Sequence, residues 1–153
     1  MPSFTFSSDL LAPAEKLLTT LTMDGVNSEL SPLVRMTAPE SYSTCSILDW
    51  PEQQKLFKSW VLLFGFLPID RHTFFFEAIN AEAGFSERSE PWTNEYWGHK
   101  RTVVAAASGC RVTDTVGFKS RVPFMDVFFK PIYQAVFWCR HKNLRLKYGG
   151  SAN

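Results

Sequence analysis

Three ionisable side chains of the types used in acid–base chemistry lie close together in one stretch of alternating sequence. His99 and Arg101 are two residues apart, and Asp114 follows after the pair Ser108-Gly109. Histidine changes its charge near neutral pH and therefore serves as a general acid or base. Arginine and aspartate orient polar groups. These three residues are the candidate catalytic groups of the chain.

The same stretch predicts the strands that carry these groups. Two alternating runs flank Ser108-Gly109, a pair typical of a tight hairpin turn. With this pair as the turn, Val103 faces Asp114, and Arg101 is a diagonal neighbour of Asp114. His99 shares their face because residues two apart point to the same side of a strand. That face is the more apolar one, so we expect it to be the concave face of a sheet.

Two interpretations of these groups remain open. A charge on an interior face is costly unless it is paired. In the first interpretation, an Arg101–Asp114 pair with His99 hydrogen-bonded nearby only fixes the sheet. In the second, the three groups project into a pocket and orient a ligand carbonyl or hydroxyl, because ligand pockets are mostly apolar with a few placed polar groups.

Aromatic and aliphatic residues supply the other candidates for a ligand site. His72 shares a face with Phe74 and Phe76, so it lies either in the core or at the rim of a cavity. The predicted ligand-binding residues are His72, Phe74, Phe76, Trp97, Val103, Val116, Phe118, Phe128 and Ile132. Plain core packing is the alternative for each of them. We expect Arg71 and Glu77 to pair in solvent on the opposite face, and His141 to lie at the surface near a helix end.

Composition bounds the function. Residues 1–153 fit a single domain, with 45% hydrophobic and 15% aromatic residues. A formal charge of +1 gives no case for nucleic acid or an anionic membrane as partner. Three cysteines without a CxxC pair predict neither disulfides nor zinc, and we expect no metal and no cofactor.

Targeting features are also not expected. The first residues lack the basic and apolar regions of a signal peptide, and no apolar run reaches the length of a membrane span. Together with the odd number of cysteines, which fits a reducing compartment, these features predict a cytoplasmic protein without integral membrane association. We expect a monomer or a homodimer.

Hydrophobic periodicity predicts an α+β fold with about seven antiparallel strands. The expected strands are 3–7, 33–37, 57–64, 71–79, 84–90, 97–107 and 110–119, with Pro68 and Asp70 separating the third from the fourth. Two short helices follow the first strand, and a long helix spans about 124–148. The stripe expected to cover the sheet contains Phe128, Ile132, Ala135, Val136, Cys139 and Leu146.

This order of elements, together with several local motifs, resembles the START-like or SRPBCC superfamily, whose fold is the helix grip. Lipid-transfer domains, plant pathogenesis-related allergens and polyketide aromatase/cyclases belong to that superfamily. The motifs that carry the resemblance are Ala12-Pro13-Ala14, Asn27-Ser28-Glu29-Leu30 with Pro32, Leu67-Pro68, Trp97-Gly98-His99-Lys100-Arg101, Gly109-Cys110-Arg111-Val112-Thr113-Asp114, and Phe137, Arg140 and His141 in the late helix.

The resemblance implies a deep cavity between the sheet and the C-terminal helix that binds a hydrophobic small molecule. It implies no particular reaction, because a fold hosts many functions. The leading hypothesis is therefore binding of a hydrophobic or aromatic small molecule. The alternative is a cofactor-independent cyclase or dehydratase of polyketide or other secondary metabolism that uses His99, Arg101 and Asp114. A protein-binding or dimerisation module is a third hypothesis.

Overall fold

Alternating sequence becomes one antiparallel sheet. Residues 1–152, which the computed structural model describes, contain nine strands in that sheet. The strands are β1 (Ser3–Leu10), β2 (Val34–Met36), β3 (Lys55–Leu63), β4 (Leu67–Asn80), β5 (Gly84–Glu87), β6 (Glu90–Pro91), β7 (Asn94–Ala106), β8 (Gly109–Ser120) and β9 (Gly150–Ala152). The helices are α1 (Ala14–Thr19), α2 (Met23–Leu30), α3 (Glu40–Ser43) and α4 (Asp126–Tyr148), with a 3₁₀ turn at Ile47–Asp49.

The strand order is β2-β3-β4-β5-β7-β8-β1-β9, with β6 paired to β4. The α+β class and the curved sheet around a long C-terminal helix are thus confirmed. The two strands beyond the expected seven are both short. One is β6, which continues the run expected to end at residue 90. The other is β9, where Gly150 (φ +140°) lets the chain lie so close to β1 that a Cβ would meet the carbonyl oxygen of Asp9.

The β7–β8 hairpin has the expected faces but a different register. Arg101 lies directly opposite Asp114, not diagonal to it, because the turn begins one residue before Ser108-Gly109. Gly109 is needed for another reason: a Cβ there would meet the carbonyl oxygen of Leu10 on the neighbouring strand. The register differs by two residues, and side chains alternate with period two, so every side chain keeps its face.

The expected break at Pro68 and Asp70 is wrong, because both residues lie within β4. Leu62 pairs with Pro68 and Val61 with Asp70, so the strand carries a bulge at residue 69. A bulge accommodates a residue that has no backbone N–H to donate. The actual turn lies at residues 64–66.

The covering face of α4 matches the predicted stripe only in part: Cys139 is buried and Val136 packs against the core, but three other members are exposed. Phe128, Ile132 and Leu146 are 64%, 54% and 74% exposed. The buried residues of this helix are Phe137, Cys139, Arg140, His141 and Leu144. The prediction placed the buried face wrongly because two of its residues, Arg140 and His141, are polar, and apolar periodicity assigns polar residues to solvent. His141, expected at the surface, is 1% exposed.

A matched pair of phenylalanines on α4 tests this orientation. Phe137 is 4% exposed and packs edge-on against Phe4 with 5.6 Å between ring centroids, whereas Phe128 is 64% exposed. We expect Phe137→Ala to lower the free energy of unfolding by about 3–5 kcal/mol, since it leaves a cavity. Phe128→Ala changes it by less than about 0.5 kcal/mol. Urea unfolding measures both, and equal losses would contradict the orientation.

Candidate functional site

A cavity of about 350 Å³ lies between the sheet and α4. Its walls come from α2, from strands β2, β3, β4, β5, β6 and β7, and from α4, and most lining residues are aliphatic or aromatic. Three lining residues, Phe64, Ile69 and Ile132, are about half exposed. They mark the mouth of the cavity, between the β3–β4 turn and the N-terminal half of α4.

Glu87 joins two histidines in the cavity wall. The last residue of β5, Glu87 pairs with His99 across the sheet. Its Oε1 lies 2.6 Å from Nε2 of His72, and its Oε2 lies 3.4 Å from Nδ1 of His99. Burial by itself raises the pKa of Glu87, but the hydrogen bonds from the two histidines outweigh it and hold that pKa well below its ordinary value. Glu87 is therefore an ionised carboxylate, although its side chain is buried and only 6% exposed.

Asp114 lies behind this wall and accepts four hydrogen bonds. Its Oδ1 accepts from Nε2 of His99 and from Nε of Arg101, both at 2.8 Å. Its Oδ2 accepts from Nη2 of Arg101 at 2.7 Å and from Nε2 of His141 at 2.9 Å. Burial alone raises the pKa of Asp114, yet the charge and hydrogen bonds of Arg101 and the two imidazole donors lower it strongly.

Glu29 brings α2 into the same network. Arg101 Nη1 donates to Glu29 Oε1 at 2.7 Å, and Arg140 Nη2 donates to Oε2 at 3.1 Å. Burial raises the pKa of Glu29, and the charges of the two arginines more than compensate and lower it. On the other side, Ser8 Oγ lies 2.8 Å from Nδ1 of His141.

His99 completes the charge balance of the network. Burial lowers the pKa of His99, but its hydrogen bonds to Asp114 and Glu87 outweigh burial and raise that pKa. With His99 protonated, three carboxylates face two guanidinium groups and one imidazolium. Burying charges in this way is tolerated only because each is paired and hydrogen-bonded.

Both ring nitrogens of His99 are thus directed at carboxylates, so neither is left for a ligand. Arg101 and Asp114 are 2% and 0% exposed and behave as the sheet-fixing pair of the first interpretation. The structure brings all three predicted catalytic residues together, as expected. Their acid–base roles stay a prediction, and the geometry favours support of the wall.

The predicted ligand-binding residues divide into three groups. His72, Phe74, Phe76, Trp97 and Ile132 line the cavity. Val103, Val116 and Phe118 are at most 3% exposed and pack in the two hydrophobic clusters of the core. Phe128 lies on the outer face of α4, because the predicted stripe was rotated from the buried face.

The expected solvent pair of Arg71 and Glu77 is also wrong: Glu77 faces Arg88, and Arg71 lies over the ring of Trp60.

Sequence reasoning missed Glu29, Glu87 and Arg140 as parts of the site. Glu87 shares the face of Phe85 on its strand, which was the available signal. Glu29 and Arg140 stand in the motifs that carried the family resemblance, but their contact joins positions 111 residues apart. No local pattern predicts a pairing over that distance.

A second polar cluster lies where β7 begins. Asn94 is 1% exposed, and its Nδ2 donates to the hydroxyl of Tyr133 at 2.7 Å and to Thr93 Oγ1 at 3.1 Å. Thr93 Oγ1 in turn donates to Asp70 Oδ2 at 2.6 Å. Burial raises the pKa of Tyr133, which keeps its hydroxyl protonated.

No cluster of three or more His, Cys, Asp or Glu residues suited to a metal ion occurs in residues 1–152. Over the same residues, no helix has the length and apolar character needed to cross a membrane.

An antiparallel sheet wrapped around a long C-terminal helix, with an apolar cavity between them, defines a protein of the helix-grip class. Within that class, the chain belongs to the family described as "Domain of unknown function (DUF8410)", whose sequence profile matches residues 8–148. No match was found among curated proteins.

Solved structures share this fold at low sequence identity. Protein CV1439 from Chromobacterium violaceum is similar with a TM-score of 0.71 and 11% identity, over 99% of this chain and 100% of that one. Ara h 8.0201 is similar with a TM-score of 0.58 and 16% identity, over 94% and 97%. DynU16, a protein in the dynemicin biosynthetic locus, has a TM-score of 0.59 and 8% identity, over 96% of this chain and 48% of DynU16. At these identities the likeness establishes the fold.

The hub role of Asp114 predicts a large loss of stability on substitution. Asp114→Asn removes the charge that faces Arg101 and His99, and breaking one side of a buried ion pair costs about 3–5 kcal/mol. The control is Glu77→Gln, which removes the carboxylate of a half-exposed pair with 3.6 Å to Arg88. We expect the control to lose less than about 1 kcal/mol. Urea unfolding of both variants at neutral pH checks this, and a small loss for Asp114→Asn would contradict the hub role.

The raised pKa of His99 predicts how stability depends on pH. A group whose pKa is higher in the folded state stabilises fully below its ordinary pKa, which is 6.5, and loses that contribution as the pH rises through the folded value. The lowered pKa values of Glu87 and Asp114 act at the acid end: their contribution is complete above about pH 4.5 and declines below it. We therefore expect the free energy of unfolding to decline above about pH 6.5.

Replacing His99 isolates its part of this dependence. His99→Gln removes the titrating group, so the decline above about pH 6.5 should be shallower than in the natural chain, even though the variant is less stable overall. Urea unfolding at a series of pH values measures the slope. Because the group is buried, added salt should change the slope little. Identical slopes in the two proteins would show that His99 is not the titrating group.

Proposed function

We propose that this protein binds a hydrophobic or aromatic small molecule in the cavity between the sheet and α4. The observation that carries the proposal is an apolar cavity whose wall holds buried polar atoms without partners. Within residues 1–152, Asn94 Oδ1 and Arg140 Nε are buried and accept or donate no hydrogen bond. Both residues line the cavity. Such atoms cost about 1–3 kcal/mol each unless another group satisfies them.

The size and shape of the cavity support a drug-sized ligand. Ligand cavities typically measure about 300–1,000 Å³, and the volume here, about 350 Å³, lies at the small end of that range. Tyr133, the partner of Asn94, and Arg140 lie seven residues apart on α4, which corresponds to about 10 Å along the helix axis. Apolar and aromatic side chains occupy the length between them. This arrangement fits a flat apolar body of two or three rings with a hydrogen-bonding group at each end.

The partial exposure of the mouth gives such a molecule a route. The helix-grip relatives supply only the shared fold, and they support a cavity in this position without naming its occupant. We further propose a reducing compartment, such as the cytoplasm, because Cys45, Cys110 and Cys139 are free thiols.

A matched pair of substitutions on α4 tests the proposal. Val136 lines the cavity, whereas Val127 is 74% exposed on the same helix. We expect the natural protein to bind the fluorescent probe N-phenylnaphthylamine. Val136→Trp fills the cavity and should weaken that binding at least about tenfold, or about 1.4 kcal/mol. Val127→Trp should leave it within a factor of two.

Fluorescence titration of the three proteins measures the affinities, and circular dichroism checks that each is folded. Native mass spectrometry before and after solvent extraction identifies any molecule carried from expression. If folded natural protein binds neither the probe nor any extractable molecule, the cavity is not a binding site and the proposal fails.

A further inference from the structure

His72 and Glu87 form a buried pair in the wall of the cavity. Nε2 of His72 lies 2.6 Å from Oε1 of Glu87, and each residue is 6% exposed. Both line the cavity. The imidazole ring is fixed between aromatic groups, with ring-centroid distances of 4.8 Å to Phe74 and 6.0 Å to Trp97. The pair therefore has a defined position and little freedom to rotate.

The charge of Glu87 determines the tautomer of His72. Oε2 of Glu87 lies 3.4 Å from Nδ1 of His99, the protonated imidazole of the network, so Glu87 is a carboxylate and only accepts hydrogen bonds. The proton in the 2.6 Å contact consequently belongs to Nε2 of His72. A neutral imidazole protonated at Nε2 carries its lone pair on Nδ1. No atom within residues 1–152 forms a hydrogen bond with that Nδ1.

We propose that His72 is a general base acting on the molecule held in the cavity, with Glu87 as its positioning residue. The inference rests on the proposed function, since it needs a bound ligand. Glu87 holds the ring in the productive tautomer and stabilises the imidazolium that forms when Nδ1 takes a proton, the role that carboxylates have beside catalytic histidines. His99 does not have this role, because both of its nitrogens are directed at carboxylates.

Arg140 supplies the complementary donor. Its Nη2 is held by Glu29, which fixes the guanidinium, while its Nε is buried without a partner. It lies close enough to His99 for its charge to act on the pKa of that imidazole. A fixed N–H in an apolar site stabilises an oxygen on which negative charge develops. The substrate class is thus an apolar carbonyl compound with a hydrogen on the carbon next to the carbonyl.

The step balances without a cofactor. The C–H bond next to the carbonyl breaks, and its proton goes to Nδ1 of His72. The electron pair of that bond forms the C=C bond of an enolate, and the carbonyl π pair moves to oxygen, which accepts a hydrogen bond from Arg140 Nε. Return of the proton to the same carbon completes an exchange, and return to another atom completes an isomerisation.

Deuterium exchange into β-tetralone in D₂O tests the inference. This two-ring ketone has exchangeable hydrogens next to its carbonyl and matches the proposed ligand size. We expect the natural protein to accelerate exchange at least about tenfold over the same concentration of free imidazole, measured by proton NMR. His72→Gln keeps an N–H for Glu87 but has no basic nitrogen, and we expect exchange at the imidazole-control rate. Thr73→Gln, at the next position of β4 with its side chain on the other face, should keep the full rate.

A second measurement does not depend on any variant. Nitrogen-15 NMR of the natural protein reads the tautomer of His72, and we expect a proton on Nε2 and none on Nδ1. The opposite tautomer would overturn the inference. Two further results would overturn it. In the first, tetralone binds, as seen by displacement of N-phenylnaphthylamine, but its exchange is not accelerated. In the second, accelerated exchange persists in folded His72→Gln.

The failure of this inference differs from failure of the proposed function. If the protein binds the probe but not tetralone, the carbonyl substrate class is contradicted and the proposed binding function stands. If the folded natural protein does not bind the probe, both this inference and the proposed function are contradicted. Exchange lost in His72→Gln while the variant still binds tetralone separates chemistry from binding and supports the base.

Discussion

The carboxylate of Asp114, which lies on β8 with 0% exposure, is the group on which the rest of the structure depends. It lies between a guanidinium on the neighbouring strand and imidazoles from both β7 and α4, so one carboxylate connects the sheet to the helix that covers it. An unpaired charge in this position would be very costly, and four hydrogen bonds remove most of that cost. The same requirement explains why α4 buries Arg140 and His141 where a covering helix would ordinarily place apolar residues. The polar network thereby sets the rotation of α4 as well as its distance from the sheet.

The polar residues of this network differ in whether all of their hydrogen-bonding atoms have partners within the protein. His99 is fully engaged, which makes it a wall component although its residue type and position suggest catalysis. His72 lines the cavity and is hydrogen-bonded through Nε2 only. Glu87 contacts both histidines and therefore transmits the rigidity of the Asp114 cluster to His72. Preorganisation of this kind is what a site requires to hold a base in position, because a loosely held imidazole would lose both its tautomer and its orientation.

The sequence allowed the fold and the face of the site to be predicted, but not the contacts. Period-two alternation placed Arg101 and Asp114 on one covered face, and a register error of two residues left that result intact. The register was predicted wrongly because Gly109 was assigned to the turn. Its glycine is instead required by a close approach to a neighbouring strand, which local sequence does not reveal. Apolar periodicity selected Phe128 for the inner face of α4 and assigned His141 to solvent. Both errors have one physical source: a paired and buried polar residue is indistinguishable from an exposed one until its distant partner is known.

Arg140 belongs to the buried charge network and is also a donor in the proposed ligand site. Without it, the buried network would hold three carboxylates against two cations, so its charge is required whether or not a ligand is present. Only Nη2 contacts Glu29, and Nε of the same guanidinium is buried without a partner. Because Glu29 belongs to α2 and Arg140 to α4, the contact that neutralises the network also holds these two helices together. In the proposed complex, a ligand oxygen at Nε would share one guanidinium group with the α2–α4 contact.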